Sequence, residues 1–450
     1  MARRIAMLAI VFLVVLTLIP TALLGKGARV AAASRTRESA VTITWWNPDI
    51  VSWQGTYKAI AAAFMKQYPQ INVRVINIPE SGYNAKVTTN IAGGKGPDVW
   101  VLDPPYAPGQ FSTSPAQPLN QFMSADHFNP KIWFQPAVAM ALSYRGVYYA
   151  VPRDVGISAL LYNVDLFRKA HVPLPNDHWT LWDVVKAAQK LTDSSKRQWG
   201  LNYNSGFGVI DNVSPILWDF GGSFVSDDGH KVVGYMDSPG TIRAVQFVWD
   251  LINKWKIVPP AAMMSSFGVA GASSQGNAFL AGNAAMNPID GDYAVGPLQT
   301  GSFKWGAIPF PTLPGQPHYA YFYPASYAIW RGSKHKKEAW ELMKFISSPA
   351  ANAIVAKSLF WTPPTLATWT QFGMDKSPAW SAFWKSRDFK TKLPPWVAAQ
   401  FWGDCTTPLN DLSSKIERNV VSRAAIPAQL KAIAKKVQAC FDRDYARLHH

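Results

Sequence analysis

Apolar and polar positions alternate at the start of the readable chain. In VTITWW, Val41, Ile43 and Trp45 fall on one face and Thr42, Thr44 and Trp46 on the other, the period of a strand. Tyr57, Ile60, Ala61, Phe64, Met65 and Tyr68 then recur at helical spacing until Pro69 ends the pattern. Alternation returns in INVRV, where Ile71, Val73 and Val75 share a face, and DVWVL adds another apolar run. Strand, helix and strand in succession predict an α/β sheet with helices packed on it.

The same grammar continues downstream. Thr180 and Asp183 have the spacing of a capping box ahead of the stripe Leu181, Val184, Val185, Ala188 and Leu191. Ser238-Pro239 is a helix start, with Ile242, Val245, Trp249 and Ile252 as its buried face. Ala339, Leu342, Met343 and Ile346 mark a further amphipathic helix. The stretch AVPRDVGISALLYNVDLFRK, residues 150–169, is unusual. An apolar run from Ile157 to Leu161 is entered through Val151-Pro152-Arg153-Asp154 and left through Tyr162-Asn163 into a helix. There is no internal repeat or low-complexity linker, and 450 residues exceed what one core supports, so two α/β units are expected.

The N-terminus changes the compartment. Arg3 and Arg4 precede an apolar stretch from Ile5 to Leu24 and then Ala31-Ala32-Ala33, the order of a secretory signal over residues 1–33 cleaved before Ser34. An uncleaved membrane anchor is the alternative, since about 20 apolar residues span a bilayer. Either places the folded part outside the cytoplasm. No lipobox cysteine adjoins this segment, and the chain's two cysteines, Cys405 and Cys440, either pair in an oxidising compartment or remain buried thiols. The net charge is +16; without Arg3, Arg4, Lys26 and Arg29, 40 basic residues face 28 acidic ones, or +12. These charges are scattered and read as a solvated surface, not a nucleic-acid site.

Catalytic signatures fail. In IAGGKGPD, Lys95 is followed by Gly96 where a phosphate loop needs Ser or Thr. The eight histidines lack zinc-helix spacing, and neither a nucleophile elbow nor an acid–base carboxylate pair is assignable. No metal or cofactor is implied. Aromatic residues instead make 13% of the chain and recur beside Gly, Pro, Asn or Asp. Trp45-Trp46-Asn47-Pro48-Asp49, Trp218-Asp219, Asp290-Gly291-Asp292-Tyr293, Tyr319-Ala320-Tyr321-Phe322-Tyr323 and Phe360-Trp361-Thr362-Pro363 are examples. Aromatic faces with polar edges suit the C–H patches and hydroxyls of a sugar.

The order of segments resembles the extracellular solute-binding proteins of ATP-driven (ABC) sugar importers, the family that includes maltose-binding protein. GKGPDVWVLDPPYAPGQF, the block from Ala150 through Thr192, LWDFGGSFVSDDGHKVVGYMDSPGTIRAVQFVWDLINK, FLAGNAAMNPIDGDY and WGAIPFPTLPG carry it, together with SKHKKEAWELMKFISSPAANAIVA. The resemblance covers most of residues 41–365 and fades after Lys390. It implies an α/β two-lobe periplasmic-binding-protein-like (type II) fold, a three-segment hinge and a ligand cleft between lobes. Lobe 1 would comprise 41–154 and 309–348, and lobe 2 155–305 and 350–450. The crossings would fall at Pro152–Asp154, near Gly306 to Pro311 and near Ser347 to Ala351.

Carried over position by position, the resemblance implies a ligand-binding set of Trp46, Asn47, Asp49, Asp103, Tyr106, Asp154, Trp218, Asp219, Tyr293, Tyr321, Tyr323 and Trp361, with Asp98 structural. Tyr293 stands where many relatives have Trp, Pro104-Pro105 follow Asp103, and Gly156 replaces an acidic contact, so the sugar is left open. The implied protein is an exported, monomeric receptor that is not an enzyme. Its partners would be a carbohydrate, as an oligosaccharide, and the membrane permease subunits of an ABC importer, with no nucleic acid. A secreted carbohydrate-active enzyme and the same fold binding an anion such as a phosphorylated polyol are the alternatives.

Overall fold

The strand read in VTITWW is β1 (Val41–Pro48), which buries Ile43 and Trp45 completely while Thr42 stays exposed. In this computed structural model the described residues are 40–103, 110–111, 113–202, 214–267, 277–290, 298, 301–358, 362–378 and 380–448. β1 pairs in parallel with β2 (Ile71–Ile78), in register from Val41↔Ile71 to Pro48↔Ile78, and on its other side with β3 (Val99–Leu102). Parallel neighbours need a crossover, and the helix Val51–Gln67 supplies it between β1 and β2. Asp98 fixes the start of this sheet. Its carboxylate accepts from Thr44 N at 2.8 Å, Thr44 Oγ1 at 3.0 Å and Ser333 Oγ at 2.5 Å, a structural role as expected.

A short hairpin, β4 (Ser143–Tyr144) and β5 (Val147–Tyr148), precedes β6 (Val151–Pro152) and β7 (Gly156–Asn163). The apolar run read in AVPRDVGISALLYN is therefore a strand buried on both faces. Ile157, Ala159 and Leu161 face one apolar cluster and Leu160 the other. It passes directly into the helix Val164–Lys169 because the Asn163 side chain accepts from the N–H groups of Asp165 and Leu166, satisfying donors that the first helical turn leaves unpaired. The Thr180–Asp183 capping box and the Ser238 cap form likewise.

The remaining strands are β8 (Trp199–Leu201), β9 (Ala284–Asp290), β10 (Trp305–Pro309), β11 (Tyr319–Tyr323), β12 (Ser326–Ile329) and β13 (Lys390–Lys392). Among the described residues they form two mixed sheets. The first has the order β2-β1-β3-β12-β6; the second has β13-β11-β7-β9-β8, with β10 also on β7.

The chain thus passes between sheets at three places. The first is Arg153–Val155, between β6 and β7, one residue further along than the expected Pro152–Asp154. The second lies at Pro324–Ala325, between β11 and β12, and not near Gly306 to Pro311. That segment belongs to the second sheet, where Trp305–Pro309 pairs antiparallel with Asn163–Ala159. The third lies beyond the helix Pro349–Ser358 and not at Ser347 to Ala351, because that helix still packs against Val51–Gln67; Thr362, after it, lies beside the first crossing. The chemistry that fixes the crossings is a stitch of hydrogen bonds, which apolar periodicity does not reveal. Arg153 N donates to Ala325 O at 2.7 Å, Val155 N donates to Thr362 O at 3.2 Å, and Thr362 Oγ1 donates back to Val155 O.

Beyond Lys390 the helices Trp402–Cys405, Thr407–Glu417 and Ile426–Leu448 close over the second cluster through Leu409, Leu412, Ile416, Leu430, Val437 and Phe441. Cys405 and Cys440 are joined in a disulfide that staples the first of these helices to the last. No helix among the described residues is long and apolar enough to cross a membrane. The expected leader, residues 1–33, lies outside the described residues.

Candidate functional site

Open α/β sheets bind ligands beyond the carboxyl ends of their strands, where neighbouring strands part. In the first sheet this parting has a visible cause. The β1–β3 ladder stops at Trp46↔Trp100, and the Tyr83 hydroxyl enters the gap. It accepts from Val101 N at 2.8 Å and lies 3.1 Å from Trp46 O and 3.2 Å from Val101 O. Tyr83 comes from the helix Tyr83–Ala92, and burial raises its pKa, so the hydroxyl stays protonated. One side chain thereby satisfies the backbone of two separating strands at their carboxyl ends.

On that edge stand Trp46 and Asn47 from β1, Asp49 just after it, Asp103 after β3, and Arg153 and Asp154 after β6. Trp46 is half-buried on the face opposite Trp45, and its Nε1 has no hydrogen-bond partner among the described residues. Asp49 is exposed, accepting from Gln54 Nε2 at 2.5 Å. Asn47 is fully buried, with Nδ2 donating to Trp45 O at 3.3 Å. It shares its face with Trp45 and is enclosed by protein.

Asp103 and Asp154 meet through a residue that the sequence reading passed over. Arg153 donates from Nε to Asp154 Oδ2 at 2.6 Å and from Nη2 to Asp103 Oδ2 at 3.3 Å, while its guanidinium carbon lies 4.7 Å from the Trp53 ring centroid. Asp154 also accepts from Ala325 N at 3.2 Å. Burial pushes the Asp154 carboxyl up to about 6, and the Arg153 charge beside it limits the rise, so it is ionised at neutral pH. Burial opposes the Arg153 charge, yet Asp154 leads the neighbours that hold its pKa above the ordinary range. Asp154 is consequently a crossing residue enclosed by protein, whereas Asp103 keeps 21% of its side chain exposed. The signal in VPRDVGIS was a cation in an otherwise apolar crossing, which can be buried only with carboxylates on hand.

Trp218 and Asp219 are not brought to this edge. Both are buried in the helix Ser214–Asp219; the Trp218 ring packs 5.8 Å from Tyr319, and Asp219 accepts from Thr312 Oγ1 at 2.6 Å and Leu313 N at 3.3 Å. Burial pushes the Asp219 carboxyl up to about 7, an increase these two hydrogen bonds offset only in part. Tyr321 and Tyr323 lie on β11, where Tyr323 pairs with Gly156 at the second crossing's approach; their side chains are outside the described residues. Tyr106, Tyr293 and Trp361 also lie outside the described residues. Cys405, Cys440 and Asp444 are close enough together to suggest metal ligands, but the two sulfurs are bonded to each other.

Two sheets joined by three stitched crossings, with a polar strand edge beside them, define a two-lobe binding fold. The chain belongs to the bacterial extracellular solute-binding protein family, whose model matches residues 47–353. That family consists of receptors, not enzymes. A maltotriose-binding protein from Pyrococcus abyssi is 24% identical over 333 residues, 72% of this chain and 66% of that protein's length. Among solved structures, an ABC substrate-binding protein from Listeria monocytogenes in complex with cycloalternan superposes with a TM-score of 0.76 at 22% identity, covering 90% of this chain and 99% of that one. The maltose/maltodextrin-binding domain from Bdellovibrio bacteriovorus bound to maltotriose gives 0.67 at 20% identity, with 88% and 99% covered. These likenesses establish the periplasmic-binding-protein fold.

Proposed function

We propose that the protein is an exported receptor that encloses an oligosaccharide between its lobes and delivers it to the permease of an ABC importer. The observation that carries this reading is the convergence of three hydrogen-bonded crossings beside the splayed, polar edge of the first sheet. On this reading one lobe holds β1–β6, β12 and the helices Val51–Gln67, Lys336–Ile346 and Pro349–Ser358. The other holds β7–β11, β13 and the C-terminal helices. Rotation of a few residues at short crossings is how such lobes close on a ligand, and transport receptors work by differential affinity between open and closed states.

Trp46, Asp49 and Asp103 would meet the ligand from the first lobe; by the family resemblance, Tyr106, Tyr293, Tyr321, Tyr323 and Trp361 would supply the aromatic lining. The polar edge favours a neutral polyhydroxylic ligand over a phosphorylated polyol. Asp49 and Asp103 would repel an anion, and the nearby cation, Arg153, is already held between two carboxylates. The relatives found with maltotriose and cycloalternan support an oligosaccharide. The receptor acts as a monomer, with no cofactor and no nucleic acid.

Thermal melting of the purified protein against maltotriose, mannotriose, cyclic glucans, monosaccharides and a phosphorylated polyol tests this. A rise in melting temperature with one oligosaccharide, and no product by chromatography, is expected. A rise only with the phosphorylated polyol would replace the ligand class, and turnover of a sugar would replace the receptor reading.

A further inference from the structure

The buried Arg153 guanidinium joins two things that a receptor must couple. On one side Asp154 takes Nε at 2.6 Å, and the same carboxylate accepts the backbone N–H of Ala325 at 3.2 Å, so Arg153 is anchored to the second crossing. On the other side Nη2 reaches Asp103 at 3.3 Å. Trp53, in the first turns of the helix Val51–Gln67, packs on the guanidinium from a third direction at 4.7 Å. A planar cation held at two edges and one face has one orientation available. Asp103, by contrast, follows directly on β3 and keeps part of its carboxylate exposed at the strand edge. A carboxylate oriented beforehand loses less side-chain entropy on meeting a hydroxyl than one that samples several rotamers.

We infer that Arg153 is a positioning residue for ligand binding, holding the Asp103 carboxylate aimed into the cleft and tying its orientation to the crossing at Ala325. This rests on the receptor reading. The guanidinium never touches the ligand; it presets one acceptor. Since the anchor at Asp154 is part of the hinge stitch, the same contact makes Asp103 ready on the lobe that carries it while the other lobe swings. Lysine at this position would retain the charge near Asp154 but could not hold two carboxylates in one plane and stack on Trp53.

The test is a double-mutant cycle on affinity with Arg153→Lys, Asp103→Asn and the double variant, measured by calorimetric titration with the oligosaccharide that the melting panel identifies. Arg153→Lys alone should weaken binding about tenfold, worth about 1.4 kcal/mol. In the Asp103→Asn background the same substitution should change affinity by less than about twofold. An equal loss in both backgrounds overturns the inference, because Arg153 would then act on binding without Asp103. Should Arg153→Lys unfold the protein, Trp53→Leu provides a second route. It loosens the guanidinium's stacked face and should lose affinity in the native background only; equal losses in both backgrounds again overturn the inference. A native protein that binds no oligosaccharide in the panel contradicts the receptor reading itself, a result distinct from additive losses.

Discussion

Ala325 donates its backbone N–H to Asp154 Oδ1 at 3.2 Å, joining two crossings that are 171 residues apart in the chain. The other carboxylate oxygen holds Arg153. Asp154→Ala removes the link and leaves a buried guanidinium with one carboxylate fewer, a change that typically costs about 3 kcal/mol or more. Urea unfolding of the variant should report a loss of that order. A loss below about 1 kcal/mol would mean that the pair does not hold the hinge.

Tyr83 makes a second, independent claim on stability. Tyr83→Phe keeps the ring but leaves the Val101 N–H, buried at the end of the β1–β3 ladder, without its acceptor. An unsatisfied buried donor costs about 1–3 kcal/mol. Denaturant unfolding should show this loss, and an unchanged midpoint would indicate that the strands close the gap themselves.

Asp219 predicts a pH dependence with a definite sign. Its carboxyl is raised from 3.8 to about 7 by burial, so the folded state favours the neutral form. The contribution is fully present below the unfolded pKa near 4 and is lost as pH rises through about 7; it reaches at most about 4 kcal/mol. Asp219→Asn removes the ionisable carboxyl and keeps an amide oxygen that can accept, as the carboxyl does, from Thr312 Oγ1. The variant should be more stable than the native chain at pH 8 and differ little from it at pH 4. A gap that is the same at both pH values would contradict the burial argument.

Trp46 carries the binding claim on β1. Stacking and apolar burial of one aromatic contribute about 1–3 kcal/mol, so Trp46→Ala should weaken oligosaccharide binding roughly tenfold to a hundredfold. Calorimetric titration and unliganded melting must be read together, because Trp46 also packs partly against the core. A sharp fall in melting temperature with affinity within about twofold would make it a core residue only.

Periodicity made the architecture legible wherever one face of an element is buried. Val41 to Trp45, the helix after it, the run Ile157 to Leu161 and the Thr180–Asp183 box all appear as read, because burial and capping leave local marks. The second and third crossings did not, since β10 and Pro349–Ser358 are apolar elements whose partners are set by distant pairing. At the edge, Asp103 and Asp49 were identifiable as polar residues after strands. Asp219 and Asn47 have the same appearance in sequence but turn inward, to Thr312 and to Trp45 O respectively. Arg153 escaped notice because its importance lies in partners brought from separate segments, among them Trp53, Tyr57, Asp103 and the adjoining Asp154.

The central claim is that two lobes rotate about stitched crossings to enclose an oligosaccharide. Small-angle scattering of the protein, alone and saturated with an oligosaccharide that binds it, tests this most directly. The radius of gyration should fall on binding, as closure at Arg153–Val155, Pro324–Ala325 and Thr362 brings the lobes together. An unchanged radius of gyration with the ligand demonstrably bound would contradict the account.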